Sequence, residues 1–167
     1  FLYHLFGIDA ELLIDHAWGR EPVTIADIKS YRAQSNCLSS GQVLACSYAY
    51  EEGELIVKEM ADLLCLDLVE KGLVTKSITL HIGYDNRLNA APAHGTVSLP
   101  DDTSADILIV PAVTSLYQRI VNPALTIKRV NLTFNNVILE ECHQYNFFTD
   151  AESLDKNRKL QKAVLSI

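Results

Sequence analysis

Along residues 125–134, LTIKRVNLTF, the polar groups Arg129, Asn131 and Thr133 recur at every second position. Val130, Leu132 and Phe134 fill the places between them. That is the period of a half-buried strand, with three apolar groups on one side and a cation, an amide and a hydroxyl on the other. All three polar types donate to phosphate oxygens, so the chemistry on offer is recognition of a nucleic-acid backbone. An ordinary solvated strand face would carry the same residue types. Thr79, His81 and Gly83 alternate in the same way with Ile78, Leu80, Ile82 and Tyr84. His81 then reads either as a phosphate contact or as a solvated side chain.

Catalytic chemistry is not legible. The chain has no glycine-rich phosphate loop, no nucleophile elbow and no His/Cys spacing suited to a metal. His16 adjoins Asp15, but neighbouring residues of a helix do not face one another. The carboxylates Asp101 and Asp102 precede an expected helix, where they suit its N-terminal dipole better than a divalent metal. Cys37, Cys46, Cys65 and Cys142 are scattered, a pattern of reduced thiols in a cytoplasm.

The chain of 167 residues is long enough for one ordinary domain with appendages. With 49% hydrophobic and 21% charged residues it reads as globular. No apolar run approaches bilayer length and no signal peptide is visible, so no membrane role is expected and the compartment reads as cytoplasmic. The chain starts FLYHLFG without a Met, which suggests an excised fragment.

A net charge of −7 argues against nucleic acid until its distribution is considered. Residues 49–71 carry seven acids against Lys58 and Lys71, a balance of −5. Residues 31–48 and 72–138 together carry six basic and four acidic residues, a balance of +2. If the acidic stretch is a helix on the far side of a sheet, its charges lie roughly 10 Å from the other face, about one Debye length. Such a charge predicts modest affinity and leaves binding possible.

The elements that must position these groups follow from periodicity. Leu5, Leu12, Leu13 and Ala17 lie near helical spacing, with Gly7 and Gly19 as punctuation, so residues 1–19 read as the end of a helical unit. Residues 20–34 have no clear period and read as a linker. Residues 35–47 make a hydroxyl-rich strand, and Ser47 is placed to cap the next helix. Ile56, Met60, Leu63 and Leu64 recur at helical spacing up to a stop at Gly72. A strand over 74–84 and a shorter one over 95–99 form a hairpin with a long turn. Asp102 or Thr103 caps a second helix running to about Val121, with a kink or late start at Pro111. The strand of the opening sentence follows. The order is β-α-β-β-α-β, an α+β fold with a four-stranded sheet and two helices on one face. Beyond it, Phe147 and Phe148 stand together in a polar stretch, and Glu152 to Leu165 read as a short helix with Leu154, Leu160 and Val164 as its apolar side.

The runs FGIDAELLIDHAWGREPV, SNCLSSGQVL, VKEMADLL, LVTKSITLHIGYD and LTIKRVNLTFNNV, in this order, resemble the C-terminal part of a Y-family DNA polymerase. Within that family the likeness is to the UmuC/ImpB/MucB/SamB group of bacterial lesion-bypass enzymes. The resemblance implies that residues 1–19 end a thumb, 20–34 are a tether, 35–138 are the little finger and 139–167 are a tail. It implies that this part grips template-primer DNA, while the catalytic carboxylates and their Mg2+ belong to a palm upstream, leaving no cofactor here. Lys128 and Arg129 occupy the places of a pair of basic phosphate contacts. Thr133 stands where some relatives carry another Arg. Ser39 and Ser40 match the first strand, and Thr79, His81, Thr96 and Ser98 fall on the outer face of the hairpin, subject to register. In the tail, Gln144, Phe147 and Phe148 resemble the motif by which bacterial polymerases dock to the sliding clamp, with two adjacent anchors and a Gln that fixes register. Other subunits of a bypass polymerase are further expected partners. The alternative is an α+β protein-interaction module that docks through this aromatic motif and binds no DNA.

Overall fold

Residues 127–135 form the strand that their alternation predicts, and the sheet is built outward from it. In the computed structural model, the described residues are 1–7, 9–21, 23–31, 36–140 and 151–166. They divide into two units, Phe1–Gln34 and Ser35–Ile167.

The first unit holds three short helices, α1 (Leu2–Phe6), α2 (Asp9–Ala17) and α3 (Ile25–Ser30). Gly7 and Gly19 take positive φ between and after the first two, as punctuation by glycine requires. Helix α3 lies in the stretch expected to be linker. Its cause is local: the Thr24 side chain accepts from the Asp27 amide while Asp27 accepts from the Thr24 amide, a closed capping box.

The second unit begins with β1 (Leu38–Tyr48), α4 (Tyr50–Lys71), β2 (Leu73–Tyr84) and β3 (Ala93–Thr103). It continues with α5 (Asp106–Ile120), β4 (Ile127–Asn135), β5 (Ile138–Leu139) and α6 (Ala151–Leu165). The expected β-α-β-β-α-β order is present, with one addition: β5 pairs with the start of β2 through Leu73↔Leu139 and Val74↔Ile138, making five strands. All pairings are antiparallel and the strand order is β1-β4-β2-β3, so β4 and β2 are central.

The core lies between one face of this sheet and α4 with α5. Val57, Met60, Ala61, Leu64 and Leu68 from α4 meet Ile109, Val113, Leu116 and Tyr117 from α5 over Ile78, Leu80, Ile82, Val130, Leu132 and Phe134. Gly53, inside α4, permits the closest approach: a Cβ there would strike the Ile127 side chain and lie 2.8 Å from the Tyr117 hydroxyl. That hydroxyl donates to the Tyr50 carbonyl at 2.7 Å, tying the two helices together.

Three local expectations change. Ser47 does not cap α4; the N-cap is Ala49, whose amide donates to Glu52, and Ser47 donates to Asp85 instead. Asp101, Asp102 and Thr103 belong to β3, which outruns its predicted span, and α5 starts after Ala105 with Pro111 inside it. Leu63 is exposed although helical spacing had placed it with the core. Gly72 does end α4 in the left-handed conformation.

Candidate nucleic-acid interface

Within the second unit no described element packs on the face of the sheet opposite α4 and α5. Register places the outward side chains in rows across the strands. Gly83 on β2, Arg129 on β4 and Val43 on β1 make one row. His94, His81, Asn131 and Gly41 make the next. Thr96, Thr79, Thr133 and Ser39 follow, then Ser98, Ser77 and Asn135. Rows two residues apart along a strand are about 7 Å apart. None of these positions carries a carboxylate.

Two glycines shape the surface. The Arg129 stem lies across Gly83, where a Cβ would come within 3.1 Å of the Arg129 Cβ. The Asn131 amide lies across Gly41, so closely that a Cβ there would collide with it. Both polar groups of β4 are thus laid sideways over neighbouring strands. Arg129 is exposed and has no carboxylate partner among the described residues.

Lys128 depends on a departure from regular pleating. Strict alternation would turn it inward with Val130. Instead Gly83 pairs with Arg129 and Tyr84 with Ile127, so Lys128 is the extra residue of a bulge. Ile127 takes the buried place and Lys128 is half-exposed, its Nζ donating to the Ala45 carbonyl at 3.1 Å. The bulge therefore frees Lys128 from the core, next to Arg129, which alternation already turns outward.

The hydroxyl rows are partly self-satisfied. The Thr79 and Thr96 hydroxyls lie 2.9 Å apart, and the Asn135 amide donates to Thr79 at 2.9 Å and to Ser77 at 3.3 Å. At the end of β2, Asp85 accepts from two of the Arg87 guanidinium nitrogens, Nε at 3.0 Å and Nη2 at 2.7 Å, and from Ser47. The Arg87 and Ser47 hydrogen bonds hold the Asp85 carboxyl well below the usual carboxylate range. This knot ties the ends of β1 and β2 beside the Arg129 row.

Of the groups singled out in the sequence, Ser39, Thr79, His81, Thr96, Ser98, Arg129, Asn131 and Thr133 all lie on the bare face. Ser40 does not: it pairs with Leu132 and faces the helices, because β1 alternates with Leu38 and Leu44 on the inner side. Gln144, Phe147 and Phe148 lie outside the described residues. His16 pairs with Glu21 at 2.7 Å rather than with Asp15. Sequence reasoning missed His94, Ser77 and Asn135, and the alternation His94, Thr96, Ser98 could have extended β3 by two residues. Glycine inside a strand is itself a signal of close approach, and Gly41 and Gly83 carried it. Among the described residues no three His, Cys, Asp or Glu side chains converge to hold a metal ion. None of the helices among them is long and apolar enough to cross a membrane.

A family model described as the impB/mucB/samB family C-terminal domain matches residues 39–147. No curated sequence matches the chain. Among solved structures, a Y-family DNA polymerase chimaera of Dbh and Dpo4 aligns with a TM-score of 0.51 at 12% identity, over 83% of this chain and 38% of that one. An insertion ternary complex of Dbh DNA polymerase aligns with a TM-score of 0.46 at 12% identity, over 83% and 38%. A complex of the beta-clamp processivity factor and the little finger domain of PolIV gives 0.46 at 10% identity, over 70% of this chain and 99% of that one. The chain thus spans 38% of the length of the first two structures. At such identities the likeness is one of fold. The resemblance read from the sequence to the ImpB/MucB/SamB group agrees with the family model.

Proposed function

Because this chain belongs to the impB/mucB/samB family through its C-terminal domain, we propose that its bare sheet face grips template-primer DNA for a lesion-bypass DNA polymerase. The observation that carries this reading is the composition of that face: donors in every row, Arg129 outward by alternation with Lys128 released beside it by a bulge, and no carboxylate in the paired rows. Such a surface favours phosphate oxygens and has little with which to read base edges, so the grip tracks the backbone without regard to sequence. Residues 1–19 act as the end of a thumb, 20–34 as a tether, 35–138 as the gripping domain and 139–167 as a tail. Nucleotidyl transfer and its Mg2+ belong to other parts of the polymerase. In the tail, Gln144, Phe147 and Phe148 have the spacing to dock to a sliding clamp, with further polymerase subunits as other partners in the cytoplasm.

The test is a salt titration of primer-template affinity for the wild type and for Lys128→Ala/Arg129→Ala. Each phosphate neutralised contributes about 0.9 to the log-log salt slope, so loss of both lowers it by about 1.8. An unchanged slope removes these residues from the grip. A chain that captures the clamp but shows no DNA affinity at low salt would instead be a protein-interaction module.

A further inference from the structure

We propose that His81 and His94 form a cross-strand imidazole pair that takes up protons as it receives a DNA phosphate, making the grip tighter as pH falls. The inference rests on the DNA-gripping reading and adds to it a binding subsite and a proton linkage.

His81 on β2 and His94 on β3 are directly paired, so their side chains project side by side from the bare face. They share their row with Asn131, and the adjacent row holds Arg129. A phosphate lying along this row would meet two imidazoles and an amide, with a guanidinium about 7 Å away. His94 is exposed and His81 half-exposed, with its Nδ1 shielded from solvent and without a hydrogen-bond partner.

The outward neighbours are Thr79 and Gly83 on β2, Thr96 on β3, and Arg129, Asn131 and Thr133 on β4. Arg129 is the cation among them. Arg119, from α5, donates to the Thr96 carbonyl. The Asp85–Arg87 ion pair lies past the end of β2, and Asp101 and Asp102 sit at the far end of β3. Among the described residues, none of the paired positions of the face carries a carboxylate to pair with an imidazolium. A phosphodiester supplies the missing anion, so proton uptake accompanies its arrival.

The sign follows from linkage. A group whose pKa is raised in the bound state strengthens binding at pH values below its free-state pKa, and that gain is lost as pH rises through the bound-state value. Histidine changes charge between about pH 5 and 8, which sets the window.

The experiment measures primer-template affinity of the whole chain at pH 6 and pH 8, each over a range of salt, for the wild type, His94→Gln and His81→Gln/His94→Gln. The wild type should bind more tightly at pH 6 by about fivefold or more, for a pKa raised by about one unit on binding. Its salt slope should steepen by about 0.9 as the protonated pair meets a phosphate. His94→Gln should lose part of the difference and the double variant nearly all of it. Equal slopes and affinities for the wild type at both pH values would overturn the pair while leaving the DNA grip standing, as would a full pH effect in the double variant. A wild type that binds no DNA at either pH would overturn the underlying reading, and the pair with it.

Discussion

Arg129 shows how much a single functional side chain owes to a residue that does no chemistry. Its stem lies over Gly83, and the same device lays Asn131 over Gly41. Val at position 83 suits a strand better than Gly does, yet its first carbon would crowd Arg129. Gly83→Val is therefore expected to lower the salt slope of DNA binding by about 0.9, the share of one phosphate contact. Its melting temperature should stay close to that of the wild type. A normal slope would show that Arg129 needs no such bed. Asp85 carries the clearest pH signature. Its carboxyl is held below the ordinary range by Arg87 and Ser47, so its contribution to stability is present above about pH 4 and lost as pH falls further. Thermal unfolding should therefore show a smaller drop between pH 5 and pH 3 for Asp85→Asn than for the wild type; equal drops would contradict the assignment. The polar identities on the bare face were legible in the sequence because a period of two sorts them. Ser40 was misplaced because a hydroxyl fits either face and nothing in SNCLSSGQVL fixes the strand's phase.

At the scale of the element, β4 and α6 mark where pattern reading succeeds and where it fails. The inward triad Val130, Leu132 and Phe134 fixes β4, and all three are fully buried. The bulge beside it is written only as Ile127 and Val130, three apart and both apolar, a spacing that does not announce a strand. Helix α6 inverts the usual rule. Leu160 and Val164, read as its apolar side, are exposed, whereas Asn157 and Gln161 are buried. Asn157 donates to Asp106 at 2.6 Å, Gln161 donates to the Ser104 carbonyl at 3.2 Å, and Arg158 pairs with Glu140. Polar groups anchor this helix because the start of α5 and the turn before it present a carboxylate and a carbonyl to it. Arg158→Ala should cost about 1–2 kcal/mol by leaving Glu140 without its partner, while Leu160→Ser should stay within about 0.5 kcal/mol. Urea unfolding of both variants decides; the opposite ranking would refute the polar anchor. Gly53 in α4 reverses another habit. Ala usually stabilises a helix interior by up to about 1 kcal/mol relative to Gly, but here it would press on Ile127 and Tyr117. Gly53→Ala is expected to destabilise by about 1–3 kcal/mol in the same assay, and a gain in stability would show that the helix can lift without cost.

Over the whole second unit, charge is sorted by face. Glu51, Glu52, Glu59, Asp62 and Glu70 are exposed along α4, on the helical side of the sheet, while the four rows of paired positions on the other face hold only neutral and basic groups. An acidic protein can then present an approachable surface to a polyanion, because roughly one Debye length separates the two charge sets. This arrangement was readable from residues 49–71 and the strands around them once the helix was assigned to one side. The strand order β1-β4-β2-β3 was not readable, since alternation tells which face a residue takes but not which strand lies beside it. The order matters because it places Arg129 beside Gly83 and Asn131 beside His81. The account stands on the bare face being the one that meets the duplex, and photocrosslinking tests it directly. A photoreactive side chain at Val43 or Ser98, on that face, should crosslink to primer-template DNA in a salt-sensitive manner, and one at Leu55 or Leu63, exposed on α4, should not. Crosslinks from α4 with none from Val43 or Ser98 would contradict it.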